Sequence, residues 1–312
     1  MKHLFIGIGN AGGAILDALL EYKEVRRAKP VVIKPKREEK GVNVDKIEAK
    51  FKTQGKSVDS AFLFAGLSDS DNIMPRIAEM LTGLNKKIFL VGILPANRKE
   101  KREEIINAYY SMEKLKEHVN SFIIVDNQKI AHLPNFEDFY PGYNRYIASC
   151  LADVLTGTSR SGSIPGSEMQ SSMLMDEVVK SLSFDNEPGY VALSRASELT
   201  KGLWGYIVPF LGHKQLDLGT LLRVSLEKLS VSDAPIGSEK SVSFLRVPKY
   251  YIRSKSVDRE QIEEFMLSHS KECHLAVSTT KRNIVAITNL FTYKFDQLER
   301  LREIRGLAYE RV

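Results

Sequence analysis

Apolar residues recur along this chain in two alternating rhythms. The first is a run over residues 3–8, followed by a glycine turn. Ile15, Leu16, Leu19 and Leu20 then fall at helical spacing. This predicts a buried strand and a helix over Ala11–Tyr22. Val31–Ile33 reads as a short strand stopped by Pro35. Ala61–Ala65 is a continuous apolar run bounded by Gly66, the pattern of a parallel strand covered on both faces. A helix from about Ile73 to Leu81 and a strand over Lys87–Leu94 follow. Next come a helix over Lys99–His118, with Ile105, Tyr109, Met112 and Leu115 at core spacing, and a strand over Ser121–Val125. Strands alternating with helices predict a doubly wound, mostly parallel α/β sheet with ligands at the carboxyl ends of its strands.

The rhythm breaks at residues 156–172, which hold six Ser, two Thr and three Gly and read as a loop or linker. Beyond it, strands are predicted over Tyr190–Ser194, Val242–Val247, Leu275–Thr279 and Ile284–Thr288. Helices are predicted over Gly219–Leu229, Asp258–Leu267 and Phe295–Arg305. The short Thr280–Asn283 turn between the last two strands signals a hairpin in a smaller mixed sheet. The expected division is a nucleotide-binding domain over 1–157 that includes a central helix, a catalytic-type loop or linker over 158–172, and a mixed-sheet α/β domain over 173–312.

At 312 residues and 43% hydrophobic content the chain can fill about two ordinary domains. Its longest apolar runs are far shorter than the about 20 residues a bilayer span needs. No charged, apolar and cleavage-site series opens the chain, so a cytoplasmic protein is expected. Cys150 and Cys273 sit in apolar-periodic segments and read as buried free thiols, and no Cys/His cluster has zinc spacing. The net charge is +6, and residues 23–40 carry eight Lys/Arg against three acids. That segment reads as a solvated basic face able to attract phosphates or anionic lipid. No aromatics interleave with it, which argues against a dedicated nucleic-acid surface.

Two loops carry candidate chemistry. Gly7-Ile8-Gly9-Asn10-Ala11-Gly12 fits G-x-G-x-x-G after a strand and at a helix start. There glycine admits phosphate close to the backbone, and the helix terminus offers free N–H groups. Alone it favours NAD(P). The acidic ribose ligand expected about 20 residues later is replaced by Lys34-Pro35-Lys36-Arg37, bases that suit a 2′-phosphate. An NADP-dependent oxidoreductase is thus one reading, although no histidine or tyrosine–lysine pair sits at suggestive spacing. The second loop, Gly66-Leu67-Ser68-Asp69-Ser70-Asp71-Asn72, has the position of a phosphate loop. Its two carboxylates would repel a polyphosphate unless a cation intervened. Helix capping by Ser70 or Asp71 is its ordinary alternative.

Taken together, several segments give a more specific picture. Gly7–Gly13, Val91-Gly92-Ile93-Leu94-Pro95, Leu115–Ile124 and Tyr140-Pro-Gly-Tyr-Asn144 follow one another at matching spacing. Through them the chain resembles a divergent member of the FtsZ/tubulin superfamily over roughly residues 1–180. The resemblance implies a guanine-nucleotide-binding, cytoskeletal-type protein that takes GTP or GDP, with or without Mg. Gly7, Gly9, Asn10 and Gly12 would approach the phosphates. Gly66, Ser68, Asp69 and Ser70 would meet the terminal phosphates or a metal, and Glu100 or Arg102 the ribose. Tyr140 would stack on guanine while Asn144 read its edge. Three departures accompany it. One glycine survives of the family's G-G-G-T-G-T-G, and the acidic segment after the second strand is basic. The catalytic N-x-D-x-x-D aligns with Ser163–Glu168, leaving Glu168 as the sole candidate for activating water. The implied GTPase is weak or absent. Partners would be copies of itself or related FtsZ/tubulin-like subunits, head to tail, the Gly7–Gly12 face meeting the loop around Gly166–Met169. A nucleotide-free scaffold of the same fold is the remaining alternative.

Overall fold

The computed structural model describes residues 2–34, 37–38, 41–42, 47, 49, 58–68, 73–97, 101–158, 173–201, 213–232 and 237–310. In chain order the strands are β1 (His3–Ile8), β2 (Val31–Ile33), the two-residue pair β3 (Arg37–Glu38) and β4 (Gly41–Val42), and β5 (Ser60–Gly66). Then come β6 (Lys87–Leu94), β7 (Ser121–Asp126), β8 (Gly189–Leu199), β9 (Ser238–Pro248), β10 (Ser270–Thr280) and β11 (Ile284–Tyr293). The described helices begin with α1 (Gly9–Leu20), α2 (Lys23–Arg27), α3 (Ile73–Thr82), α4 (Arg102–Leu115), α5 (Gln128–Ala131) and α6 (Tyr140–Thr158). They end with α7 (Met175–Ser181), α8 (Leu218–Leu226), α9 (Lys249–Arg253), α10 (Arg259–Leu267) and α11 (Glu299–Tyr309).

Nine strands form one sheet in the order β2-β1-β5-β6-β7-β8-β11-β9-β10. From β2 to β8 every pairing is parallel; β11 runs antiparallel to both β8 and β9, and β10 is parallel to β9. Strands β1 and β7 are buried at every position, and β5 and β6 at all but one, as their continuous apolar sequences require. Side chains alternate between two cores. Leu4, Ile6, Leu63 and Leu90 pack under α3, α4, α8, α10 and α11. Phe5, Phe62, Phe64, Phe89 and Val91 pack under α1, α6 and α7. Phe5 and Phe62 meet edge to face at 5.7 Å, and Phe62 stacks on Phe89 at 4.8 Å.

Several expectations change. The 281–283 turn is not a hairpin, because β9 lies between the two strands it joins. The short turn carries the chain across the end of β9, where Pro248 stops the strand. The second half does not build a separate sheet either. β8 joins β7 through Ser121–Ile124 against Gly189–Ala192, extending the first sheet with its mixed part. α1 starts at Gly9, two residues before the expected start, and α6 runs on to Thr158, past the start of the Ser/Gly-rich stretch. Helix α7 lies in a stretch where no helix is expected from the sequence. Cys150 and Cys273 are free, the first buried and the second half-buried; burial pushes the Cys150 thiol up to about 12. No helix among the described residues is long and apolar enough to cross a membrane.

Candidate nucleotide-binding site

Strand order reverses at β1, which has β2 on one side and β5 on the other. In an open α/β sheet the crevice outside such a point is where ligands bind. The register pairs Ile8 with Ala65, so β1 and β5 deliver Gly9 and Gly66 side by side at their carboxyl ends. Gly9 adopts φ +68°, in the left-handed region that glycine enters without penalty. α1 begins there with no side-chain cap and no acidic residue in its first turn; Gly9, Asn10 and Ala11 are exposed. Its first N–H groups and the positive end of its dipole therefore open onto the crevice, as an anion requires.

Gly7 and Gly12 are tightly packed. A Cβ on Gly12 would lie 2.0 Å from the Phe64 carbonyl oxygen, so its absence lets α1 rest directly on β5. A Cβ on Gly7 would come within 2.9 Å of Leu16 Cδ2. The second loop leaves β5 at Gly66. Leu67 is buried, donates its N–H to the Ile93 carbonyl at 2.9 Å, and fits over Gly92. Ser68 follows, half-buried. Asp69, Ser70, Glu100 and Glu168 lie outside the described residues.

The central helix α6 brings its start to this same carboxyl edge. A 3-10 turn over Phe136–Phe139 leads into it, and Tyr140 meets Phe136 edge to face at 5.5 Å. Tyr140 and Asn144 are both half-buried and stand one helical turn apart on one face. Because the helix already begins at Tyr140, Asn144 lies in its second turn and does not cap it. Tyr143 points elsewhere. Its hydroxyl reaches the carbonyl oxygens of Asp126 (3.3 Å) and Ser230 (3.1 Å), fastening the helix start to the end of β7.

Beneath lies a buried polar cluster that sequence reasoning missed. Asp126 Oδ1 accepts from the Gln128 N–H at 3.0 Å, and Oδ2 from the Ser232 hydroxyl at 2.8 Å. Arg300 Nε stands 3.5 Å from Oδ1, while the same guanidinium donates to the Pro95 carbonyl and Asn97 Oδ1, each at 2.6 Å. Burial pushes the Asp126 carboxyl above its usual range, against the pull of Arg300. The cluster fixes the carboxyl ends of β6 and β7. Its one signal in the sequence was an acid closing an apolar strand; its partner lies 174 residues later, at position 300 against 126.

Arg102 takes an ion-pair partner. It opens α4, on the face of the sheet opposite α1 and α6, and pairs with Glu310 at 2.9 Å. In the basic segment Lys23, Arg26, Arg27 and Lys29 are exposed, and Lys34 is held by Asp17. The described part of α6 ends at the opposite, amino edge: Leu155 and Thr156 share a cavity of about 230 Å³ with His3 and Phe5 at the start of β1. Among the described residues no group of three or more His, Cys, Asp or Glu could hold a metal ion.

No protein-family model and no curated protein sequence matches the chain. Solved structures do. CetZ1 from Haloferax volcanii, a GDP-bound monomer, superposes with a TM-score of 0.74 at 17% identity, covering 100% of this chain and 99% of the other. CetZ2 from the same organism, a GTPγS-bound protofilament, gives 0.73 at 18% identity over 99% and 98%. The empty FtsZ dimer of M. jannaschii gives 0.64 at 15% identity over 96% and 90%. Strand order, the glycine turn at the β1–β5 crevice and these whole-length superpositions agree: the chain has the FtsZ/tubulin-superfamily fold.

Proposed function

We propose that this protein binds a guanine nucleotide in the β1–β5 crevice and associates head to tail with itself or with related FtsZ/tubulin-like subunits. One observation carries the reading. The uncapped start of α1 and the Tyr140–Asn144 face of α6 stand at one edge of the sheet, a phosphate-type and a base-type surface on two helices that pack together. The chemistry of this donor set fits GTP or GDP. The N–H groups at Gly9 and Asn10 would hold phosphate oxygens, with Gly66 and Ser68 lining the adjoining loop. Asp69 and Ser70 complete that loop in sequence and would meet the terminal phosphates or a Mg ion. The Tyr140 ring would stack on the base, and the Asn144 carboxamide, both donor and acceptor, would pair with its edge. The nucleotide-bound neighbours support this ligand class, and the protofilament among them supports self-association.

Thermal unfolding with GTP, GDP, ATP and NADP tests the reading. A ligand at one hundred times its Kd adds about 2.7 kcal/mol of stability, and GTP and GDP are expected to do so at lower concentration than the others. Stabilisation by NADP alone would select the oxidoreductase reading; no response to any of the four would select the nucleotide-free scaffold. The base contact has its own test. In calorimetric titration, Asn144→Asp should shift the preference among GTP, ITP and XTP, since an unmet hydrogen bond costs about 1–3 kcal/mol. Hydrolysis should be very slow, because Glu168 is the one acid left to activate water. Phosphate release at an ordinary FtsZ rate, abolished by Glu168→Ala, would overturn that expectation.

A further inference from the structure

A cleft of about 360 Å³ lies at the opposite edge of the sheet from the glycine turn, between α4, α11 and the residues leading into β8. That volume suits a small organic molecule. Its floor is aromatic. Tyr190 stacks on Phe122 at 5.1 Å and meets Phe295 edge to face at 5.2 Å, with Tyr109 beyond at 6.2 Å from Phe295. Tyr190 is only 5% exposed, yet its hydroxyl lines the cleft and makes no hydrogen bond among the described residues. The hydroxyl keeps access to solvent through the cleft, so a polar ligand atom there would take the place of water.

The charges on the rim say which kind. The two cations there are already engaged: Lys116 pairs with Glu113 at 2.6 Å, and Arg305 with Asp296 at 2.5 Å. Glu117 and Glu187 also line the cleft and form no ion pair among the described residues, which leaves it net acidic. The guanidinium of Arg305 lies over the Phe295 ring at 5.3 Å, so the floor already accepts one cation against its aromatic face. We propose that this cleft binds an organic cation, an amine or guanidinium on an apolar stem, with the stem on Tyr190 and Phe295 and the charge toward Glu117 and Glu187. The proposal is independent of nucleotide binding.

Calorimetric titration of the full chain with phenethylamine, and in a second arm with a neutral-capped peptide bearing one arginine between leucines, distinguishes a free amine from a protein side chain. Saturable binding of at least one probe is expected, with phenethyl alcohol, the neutral isostere, about tenfold weaker or worse. The exposed substitutions Glu117→Gln and Glu187→Gln should each weaken binding several-fold, and Tyr190→Phe should do so while leaving the near-ultraviolet circular dichroism of the fold intact. No saturable binding of either probe at millimolar concentration would overturn the proposal. So would equal binding of the alcohol, or binding indifferent to all three substitutions.

Discussion

Two adjacent glycines in α1 have opposite constraints. A Cβ at Gly12 would meet the Phe64 backbone at 2.0 Å, whereas one at Gly13 would have nothing within 4 Å. Gly12→Ala must push α1 off β5 and should cost about 1–3 kcal/mol or more. Gly13→Ala should stabilise by up to about 1 kcal/mol through helix propensity. Urea unfolding of the two variants checks the pair, and equal effects would refute the packing account. Another residue-scale constraint is His3, 3% exposed, bonded through Nδ1 to the Ser60 hydroxyl at 2.8 Å and packed against Phe5 and Phe62. Burial holds its pKa down at about 4. The unfolded chain takes up a proton near pH 6.5 and the folded one only near 4. The stabilisation is therefore complete above 6.5 and lost as pH falls through that window, up to about 3 kcal/mol in all. His3→Gln should flatten this part of the stability–pH curve.

Among the elements, α6 connects the two halves through charge as well as apolar packing. Asp153 is 6% exposed and receives Arg195 Nε at 2.7 Å, Arg246 Nη1 at 3.4 Å and the Thr288 hydroxyl at 3.0 Å. Arg246 continues to Glu24 of α2 at 3.1 Å, which Arg282 also reaches at 3.3 Å. The chain of charges thus runs from α2 through the central helix to β8, β9 and the 281–283 turn. Removing one partner of a buried set leaves the others uncompensated, so Asp153→Ala should cost about 3–5 kcal/mol, measured by urea unfolding. A loss within about 1 kcal/mol would place the ions in the range of surface pairs. None of this was legible in sequence, where Asp153 is one acid in a helix and its partners lie in three other elements, β8, β9 and β11. The 281–283 turn was legible but misread for a related reason. Turn residues report that the chain reverses, and only the sheet shows that β9 lies between the reversing strands.

At the scale of the molecule, the starts of α1 and α6 mark one edge of the sheet, and the described end of α6 reaches the other. Head-to-tail association would therefore join unlike surfaces, and such a heterologous contact grows as an open chain without closing at two. Sedimentation velocity across a concentration series with GTP should show species that lengthen progressively. A stop at a symmetric dimer would refute this geometry. A concentration-independent monomer, with and without nucleotide, would favour the scaffold reading or an obligate foreign partner.

The alternation of apolar runs with helical stripes was enough for a doubly wound sheet, and the resemblance carried by Gly7–Gly13, Val91–Pro95, Leu115–Ile124 and Tyr140–Asn144 pointed to the superfamily's fold. The first is a local pattern, set by the periods of strand and helix, and the second is a likeness of short segments to a known family. Tertiary structure decided the rest because it depends on which distant backbones meet. Gly12 is closed in and Gly9 is exposed because Phe64 lies against one and solvent against the other. Arg102 turns to Glu310, and Asp126 to Arg300, through contacts made only when α11 docks on the sheet. The cleft beside Tyr190 likewise exists only where α4, α11 and the start of β8 converge.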